Sequence, residues 1–402
     1  MKSDSLTQFF QGYLKKEPLF SNKKVLQSNY TPENILHREE QVNYIAGILA
    51  PVLRLEKPSN VFLYGKTGSG KTVVSRYVIS QIMNIAEEKK LPIKIVYLNC
   101  KLKRVADTEY RIVVQLAKEF GLKIPPTGLP TDEVYKIFLK HLDEEKRLVI
   151  LVLDEIDQLV KKAGDEILYN LTRINSELEN VELAIIGISN NLLFMDDIDP
   201  RVRSSLSEEE LVFPPYNAIQ IQDILRQRSN IAFKENTIKE GVIEKCAAYA
   251  AREHGDARRA LELLRVAGEL AERKGEVEIK LEHIDEAEDK IEKDKVVGVV
   301  ETQPKQSQLT LLSILSLAEK TQESIFTGDV YEIYRNYCKT INIKHLTQRR
   351  ISDLIAELDM LGIINASVVS KGRYGRTKEI KVAIPQTTII NITEILKESL
   401  NL

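Results

Sequence analysis

The sequence has few cysteines, and none of them lies near another. Cys100, Cys246 and Cys338 are far apart and form no Cys-x-x-Cys pair. An odd number of isolated cysteines argues against a zinc site and favours reduced thiols in a cytosolic compartment. We expect each cysteine to be a small core residue.

Long apolar stretches are also missing. The chain has no run of about 18 apolar residues, and its first residues contain no apolar segment of signal-peptide length. The sequence therefore predicts a soluble protein with no membrane partner. We expect it in the cytoplasm, associated with the nucleoid.

A strong net charge is the third missing feature. With 57 basic and 59 acidic residues the formal charge is −2, so no global basic field attracts the chain to nucleic acid. Any contact with nucleic acid must therefore be a local patch. The length of 402 residues and the apolar content of 43% predict two or three domains with cores of their own.

A glycine-rich motif follows the apolar run 61–64. It reads Gly65-x-x-x-x-Gly70-Lys71-Thr72, the pattern of a phosphate-binding loop. The glycines let backbone N–H groups converge on phosphate oxygens, Lys71 supplies a cation, and Thr72 is placed to bind Mg²⁺. A chance glycine-rich turn is the alternative, but the motif has the strand before it and the helix after it that it requires. We predict ATP or ADP and Mg²⁺ as cofactors, held by Gly65, Lys66, Thr67, Gly68, Ser69, Gly70, Lys71 and Thr72.

Two carboxylates follow another apolar run, about eighty residues further on. Asp154 and Glu155 end the run 148–153, and we expect this strand beside the strand that feeds the phosphate loop. Asp154 is predicted to hold Mg²⁺ together with Thr72, and Glu155 to polarise the water that attacks the γ-phosphate. The run 183–189 ends at two asparagines, of which we choose Asn190 to orient that water. Both signals have an alternative, because these residue types also begin turns.

The pattern of apolar residues divides the chain. Between residues 61 and 188 apolar runs alternate with amphipathic stretches, which predicts a parallel sheet with helices on both faces. The strand runs then stop, and the chain is helical in pattern to about residue 294. Three helices and two strands after residue 309 describe a winged helix. We predict an N-terminal arm (1–28), an α/β nucleotide-binding core (29–216), an all-α lid (217–295), a connector (296–308) and a winged-helix DNA-binding domain (309–402).

Several local strings, taken in order, give a specific resemblance. The phosphate loop, the Asp-Glu strand end and the strand-end asparagine are followed by an arginine pair and by a second arginine string in the lid. This order resembles an AAA+ ATPase, and with a winged helix behind the lid the chain closely resembles the archaeal origin recognition and replication initiator family. The remaining strings are Leu36-His-Arg-Glu39, Asp199-Pro-Arg201-Val-Arg203, Phe213-Pro-Pro-Tyr216-Asn217 and Gly255-Asp-Ala-Arg258-Arg259-Ala-Leu261.

The resemblance implies roles for some of these residues. Residues 30–39 would line the adenine pocket, and Arg258 on the lid would sense the γ-phosphate. Arg201 or Arg203 would be a finger presented to a neighbouring subunit, which matters only if subunits stack. We also expect Tyr216 in the nucleotide site.

Two segments of the last domain suit DNA. The helix predicted at 347–361 has one apolar face and a polar leading end that can enter a major groove. Residues 371–381 carry five cations against one acid and suit a minor groove, although a solvated basic turn is the alternative. A contact at Arg104 is inferred by position alone, and an amphipathic helix explains that segment equally well. The predicted DNA contacts are Thr347, Gln348, Arg349, Arg350, Lys371, Arg373, Tyr374, Arg376, Lys378 and Arg104.

The sequence thus favours a replication initiator. We expect a weak ATPase, used as a conformational switch, that recognises and distorts double-stranded origin DNA and helps to recruit the replicative helicase. Its partners would be origin DNA, other initiator subunits and that helicase. The alternatives are a ring-forming motor or clamp loader, which needs no sequence-reading wing, and an ATP-gated transcription regulator, which usually carries a sensor domain or repeats after the lid.

Overall fold

The computed structural model describes residues 17–101, 108–125, 128–206, 208–320, 324–370, 376–384 and 386–402. The chain divides into two compact units, one ending at Ile284 and the other beginning at Asp285. The domain boundaries given above remain predictions. Four predicted DNA contacts lie outside the described residues: Arg104, Lys371, Arg373 and Tyr374.

Five parallel strands form the sheet of the first unit, in the order β2-β3-β4-β1-β5. Asp154 at the end of β3 pairs with Ile188 of β4, and Tyr64 at the end of β1 pairs with Ser189 of the same strand. The carboxyl ends of these three strands therefore meet at one edge of the sheet. The strands are β1 (Asn60–Tyr64), β2 (Ile93–Asn99), β3 (Arg147–Asp154), β4 (Val181–Ser189) and β5 (Glu208–Val212).

The prediction of which strand lies beside the phosphate-loop strand is wrong. The sequence predicts the strand that ends at Asp154 beside β1, but β4 lies between them. Strand order is set by pairing between distant segments, which the local apolar pattern does not contain. As a consequence, the strand that precedes Asn190 lies between the phosphate loop and the two carboxylates.

The sheet is buried on both faces, as its apolar runs predict. Along β3, Val149, Leu151 and Leu153 pack in one hydrophobic cluster, whereas Ile150 and Val152 pack in the cluster on the opposite face. Successive side chains of a strand point to opposite faces, so a strand covered twice has to be apolar throughout. The three cysteines are buried as well, which confirms that they are core residues.

Helices cover this sheet, and some elements differ from the prediction. The sequence does not predict the strand β5, because the acidic residues Glu209 and Glu210 break its apolar pattern. In the structure β5 pairs with β1 at the edge of the sheet, where both carboxylates reach solvent. The amphipathic spacing of residues 165–178 predicts one helix, but that helix ends at Arg173, and the helix Ile156–Ala163 before it has no counterpart in the prediction. The helices are Glu39–Leu49, Lys71–Glu88, Glu109–Glu119, Thr131–Leu142, Ile156–Ala163, Glu166–Arg173 and Pro200–Leu206.

A glycine allows β4 to pack against an aromatic residue of β1. Gly187 pairs with Phe62, and a Cβ at Gly187 would lie 2.4 Å from the Phe62 ring atom Cε1. We expect Gly187→Ala to lower the free energy of unfolding by about 1–3 kcal/mol, because the added methyl overpacks the core. Denaturant unfolding measures this. The control is Gly47→Ala on the helix Glu39–Leu49, where an added Cβ meets no heavy atom within 4 Å, and an equal effect of the two changes would contradict the packing explanation.

Three described helices lie entirely within the predicted lid, Ala218–Ala232, Val242–Arg252 and Ala257–Lys274, and a further helix begins in it at Leu281. Part of the predicted N-terminal arm packs on them. The rings of Phe20 and Phe233 lie 4.6 Å apart between centroids, and the Ser21 N–H donates to the carbonyl of Ala232 at 2.8 Å. Residues 19–26 are thus fixed to the lid, which the unpatterned sequence of the arm does not indicate.

The second unit is a winged helix, as predicted. Three of its helices correspond to the predicted ones, and a three-stranded antiparallel sheet of order β6-β8-β7 completes it. The C-terminal helix Gln386–Leu400 is absent from the prediction, although its residues Ile389, Ile392 and Leu396 are buried in the common core. The elements are Lys305–Lys320, β6 (Ile325–Phe326), Thr327–Thr340, Gln348–Met360, β7 (Ile364–Ser370), β8 (Arg376–Val382) and Gln386–Leu400.

The predicted connector 296–308 is mostly helical. One helix runs over Leu281–Glu301, and the next begins at Lys305 after Pro304. Clustered valines and a glycine disfavour a helix by propensity, but Val300 is 1% exposed and packs in the core of the second unit. Tertiary packing therefore decides the structure here. Within the described ranges, no helix has both the length and the apolar character needed to span a bilayer.

Candidate nucleotide-binding site and DNA-binding surface

The phosphate loop connects β1 to the helix Lys71–Glu88. The ammonium of Lys71 is buried and donates to the carbonyls of Gly65 at 2.7 Å and Lys66 at 2.9 Å, and to Oδ1 of Asn190 at 3.0 Å. Burial, and then the nearby Arg258, lower the pKa of Lys71 to about 8. The loop thus presents a cation whose charge is poorly solvated, and such a cation gains strongly from an anionic ligand.

Asp154 and Thr72 come together on adjacent elements. The Thr72 hydroxyl donates to Oδ2 of Asp154 at 3.2 Å, and the Tyr97 hydroxyl donates to the same carboxylate oxygen. Burial raises the pKa of the Tyr97 phenol, and the adjacent Asp154 carboxylate raises it further. A hydroxyl and a carboxylate are the hard oxygen donors that suit Mg²⁺, so the residues present fit this ion.

Glu155 directly follows β3 with an unusual backbone. Its φ is +56°, a left-handed conformation that costs energy in a residue other than glycine. Its carboxylate lies 3.6 Å from the ammonium of Lys101, and Glu155 is largely buried whereas Lys101 is exposed. The catalytic role of Glu155 remains a prediction.

The two asparagines after β4 have different partners. Asn190 contacts the phosphate-loop lysine, as described above, whereas the Asn191 amide donates to Asp197 at 3.3 Å. The geometry therefore favours Asn190 over Asn191 for a role at the γ-phosphate.

The lid contacts the phosphate loop through the start of its third helix. Asp256 caps that helix by accepting from the backbone N–H groups of Arg258 at 2.8 Å and Arg259 at 3.3 Å. A Cβ at Gly68 would lie 1.9 Å from Oδ1 of Asp256, so only glycine permits this approach. Arg258 lines the same cleft as Gly68 and Thr72, which places it where a sensor of the γ-phosphate is expected.

The candidate DNA-binding helix presents its leading end to solvent. The apolar face predicted for it is buried, and Thr347, Gln348, Arg349 and Arg350 are exposed. Thr347 caps the helix, accepting from the Arg350 N–H at 3.4 Å. The guanidinium of Arg350 lies 3.7 Å from Asp353 and 3.5 Å from Glu357, so DNA has to compete with these two ion pairs.

The wing is tied to this helix. The ammonium of Lys378 on β8 donates to the carbonyl of Ser352 at 2.9 Å. This bond gives Lys378 a positioning role next to its predicted DNA contact. Arg376 begins the strand Arg376–Val382.

Three known families match consecutive parts of the chain. Residues 54–194 match the family described as AAA domain, residues 222–289 the Cdc6 AAA+ ATPase-type lid domain, and residues 298–392 the CDC6, C terminal winged helix domain. These matches confirm the predicted fold class.

Curated relatives cover nearly the whole chain. A protein of Thermococcus onnurineus named ORC1-type DNA replication protein is 51% identical over 98% of this chain and 95% of its own length. The chain belongs to the ORC1-type DNA replication protein family. A second member, ORC1-type DNA replication protein 1 of Methanosarcina acetivorans, is 50% identical over 100% of this chain and 96% of its own length.

Solved structures of the family have the same fold. The Aeropyrum pernix ORC1 protein in complex with DNA superposes with a TM-score of 0.83 at 44% identity, covering 94% of this chain and 97% of that one. The Cdc6 protein of Pyrobaculum aerophilum, at 24% identity and a TM-score of 0.59 over 95% of this chain and 100% of that one, shares the fold alone. Membership in this family makes the chain an AAA+ ATPase with a nucleotide-binding core.

The two finger candidates of this family member are paired within the chain. Arg201 forms two bonds with Asp199, each of 3.1 Å, and its side chain is 86% exposed. Arg203 lies 3.6 Å from Asp196. A finger role would require either arginine to exchange its carboxylate for a phosphate, and it remains a prediction.

One buried arginine joins several parts of the site, which goes beyond the place in the adenine pocket that the resemblance implies for residues 30–39. Arg38 is 2% exposed and donates to the carbonyls of Ser69 at 2.9 Å and Pro214 at 2.5 Å. Its guanidinium stacks 3.8 Å from the ring centroid of Tyr216, which lines the same cleft as Gly68 and Thr72. The contact of Tyr216 with a nucleotide stays a prediction. The string Leu36-His-Arg-Glu39 is the only sequence signal for Arg38.

The lowered pKa of Lys71 predicts proton uptake on ATP binding. Phosphate favours the charged ammonium, so binding raises this pKa. At pH 8 roughly half of Lys71 is neutral in the free protein, and ATP binding should take up roughly half a proton there. ATP affinity should accordingly fall as the pH rises above 8. Calorimetry at pH 8 in two buffers of different ionisation enthalpy measures the uptake.

Lys71→Arg is the matched control, because a guanidinium stays charged at this pH. At pH 8 the variant should take up fewer protons than the wild type on ATP binding, and the difference should equal the uptake expected at Lys71. Equal uptake by the two proteins would contradict the assignment to this residue.

Proposed function

We propose that this protein is an ATP-dependent replication initiator that binds and distorts double-stranded origin DNA and helps to recruit the replicative helicase. The observation that carries the proposal is that one chain contains both a nucleotide site and a winged helix. This chain is 51% identical, over 98% of its length, to a protein named for DNA replication. The structure of its Aeropyrum pernix relative is a complex with DNA, which supports DNA as the ligand of this chain.

In this proposal the phosphate loop binds ATP and its neighbours carry the chemistry. Lys71 neutralises the outer phosphates, and Thr72 and Asp154 would hold Mg²⁺, which supplies charge neutralisation when bound. Glu155 accepts the proton of the attacking water, and Asn190 orients that water. Each of these groups lies at the edge of the sheet where β1, β3 and β4 end.

Slow turnover fits the ground-state contacts. Glu155 is held by Lys101, and Lys71 is held by three oxygen atoms of the chain. Both groups must exchange these partners before they act. ATP would then serve mainly as a conformational ligand, with Arg258 linking the lid to the γ-phosphate.

The DNA contacts would be divided between reading and holding. Residues at the leading end of the helix Gln348–Met360 would face the base edges of a major groove, and the basic segment 371–381 would enter the minor groove beside it. Other initiator subunits and the helicase would bind to the assembled complex, which we expect on the nucleoid.

Footprinting on candidate origin fragments of the host genome tests this function. We expect protection of a defined sequence that differs between ATP and ADP, and ATP turnover well below that of a motor. Rapid turnover that is stimulated by DNA of any sequence would favour the ring-forming motor instead. A protein that protects no sequence with either nucleotide would contradict the proposal.

A further inference from the structure

The lid contains a buried cation, two of whose nitrogen atoms find no hydrogen-bond partner in the described part of the chain. Arg228 on the helix Ala218–Ala232 is 6% exposed, and its Nε and Nη1 atoms have no hydrogen-bond partner among the described residues. Buried N–H groups without acceptors are costly, and more so when the group is charged. Such an arrangement indicates that something other than the described residues supplies an acceptor.

Arg228 faces the cleft that begins at the phosphate loop. It lines this cleft together with Gly68, Thr72 and Ile224, and Ile224 lies one helical turn before Arg228 on the same face. The guanidinium lies 4.6 Å from the ring centroid of Tyr30, which lines the same cleft. Stacking on an aromatic ring fixes the plane of an arginine and leaves its edge free to donate.

If the phosphates lie at the loop residues Gly68, Gly70 and Thr72, the base is the part of a nucleotide left to occupy the remaining walls of the cleft, which include Arg228. The loop around Lys71 fixes the phosphates at one end of the cleft. The other walls are largely apolar and come from the lid helices and from the segment that follows the N-terminal arm; they include Pro32, Ile35, Ile224 and Leu261. An apolar slot with a few placed polar groups is typical of a site for a flat ring.

We propose that Arg228 donates an N–H to a ring nitrogen of the adenine base and is therefore a specificity-determining residue. The inference rests on the proposed nucleotide site and adds to it a contact with the base. Adenine offers unprotonated ring nitrogens as acceptors, which satisfies an otherwise orphaned donor. Because Arg228 belongs to a lid helix, the base is held by the lid as well as by the core.

Deaza analogues test the contact in the unaltered protein. Affinities of wild type are measured for ATP and for its 1-deaza, 3-deaza and 7-deaza forms, each of which replaces one ring nitrogen with C–H. We expect one analogue to bind about 10- to 100-fold more weakly than ATP, the range for a hydrogen bond from a charged group. The other two analogues should bind within a few-fold of ATP.

Replacing the arginine should remove this difference. Arg228→Met keeps an unbranched, flexible side chain but removes the donors, so the variant should bind ATP about 10- to 100-fold more weakly than wild type does. The variant should bind ATP and the sensitive analogue with equal affinity. A merely structural role would lower both affinities and leave their ratio unchanged. Arg228→Lys, which keeps a donor, should restore part of the ratio.

Arg226→Met is the control on the same helix. Arg226 is half exposed and pairs with Glu244 at 2.7 Å and Asp223 at 3.5 Å, so its loss should leave nucleotide affinity unchanged. If Arg228→Met fails to fold, the wild-type series alone decides. Equal binding of ATP and all three analogues by wild type would overturn this inference alone, whereas a wild type that binds no ATP would overturn the nucleotide site with it.

Discussion

We expect the Glu155→Gln variant to bind ATP with nearly wild-type affinity and to hydrolyse it about 10²- to 10⁴-fold more slowly. The amide keeps the shape of the side chain but cannot accept the proton of the attacking water. Glu155 directly follows β3, which β4 separates from the phosphate-loop strand β1, so the contacts to the phosphates should survive. Phosphate release in a single turnover and a separate ATP titration measure the two quantities.

Glu166→Gln is the matched control for this change. Glu166 is an exposed carboxylate at the start of the helix Glu166–Arg173, and its neutralisation should alter neither quantity. Hydrolysis by Glu155→Gln at the wild-type rate would remove Glu155 from its assigned role. Loss of ATP binding by the same variant would show that its carboxylate is needed for the site itself.

The second large effect is expected on DNA. Arg349→Ala combined with Arg350→Ala should weaken binding to an origin fragment by about 1–3 kcal/mol for each arginine that reads a base. Each arginine that instead neutralises a phosphate should reduce the slope of log K against log salt by about 0.9. Binding titrations at several salt concentrations, on origin and on random duplexes, separate the two contributions.

Lys397→Ala serves as the control, because Lys397 is an exposed cation of the same unit on the C-terminal helix Gln386–Leu400. It should change neither the affinity nor the salt slope. Since Arg350 already pairs with Asp353 and Glu357, its single variant should have the smaller effect of the two arginines. Unchanged origin binding by the double variant would mean that this helix does not read the DNA.

The fold follows from the sequence wherever a segment has a period of its own. The four apolar strands and the winged helix could be predicted because doubly buried strands and amphipathic helices carry a local pattern. Strand β5 could not, because an edge strand needs only one apolar face and here carries glutamates. The helix that contains Val300 could not be predicted from the sequence either, because valine has a weak helix propensity and burial in the core outweighs it.

The site divides in the same way. Lys71, Thr72 and Asp154 could be predicted because the phosphate loop is contiguous and the carboxylate directly ends a strand. The position of Asp154 relative to that loop could not, since strand order depends on long-range pairing. Arg38 and Arg228 carry no local sign of their burial, because an arginine in an amphipathic helix or a loop is ordinarily a solvated charge.

The central claim is that one chain couples a triphosphate site to a DNA-reading module. Its most direct test is the affinity of the wild-type protein for ADP and for a slowly hydrolysed ATP analogue, with and without a saturating origin duplex. We expect the duplex to change the ratio of ATP-analogue affinity to ADP affinity, typically by about 5- to 150-fold. Because coupling between two sites is reciprocal, the affinity for the duplex should differ by the same factor between the protein bound to the ATP analogue and the protein bound to ADP. Nucleotide affinities that stay the same when the duplex is bound would contradict the account.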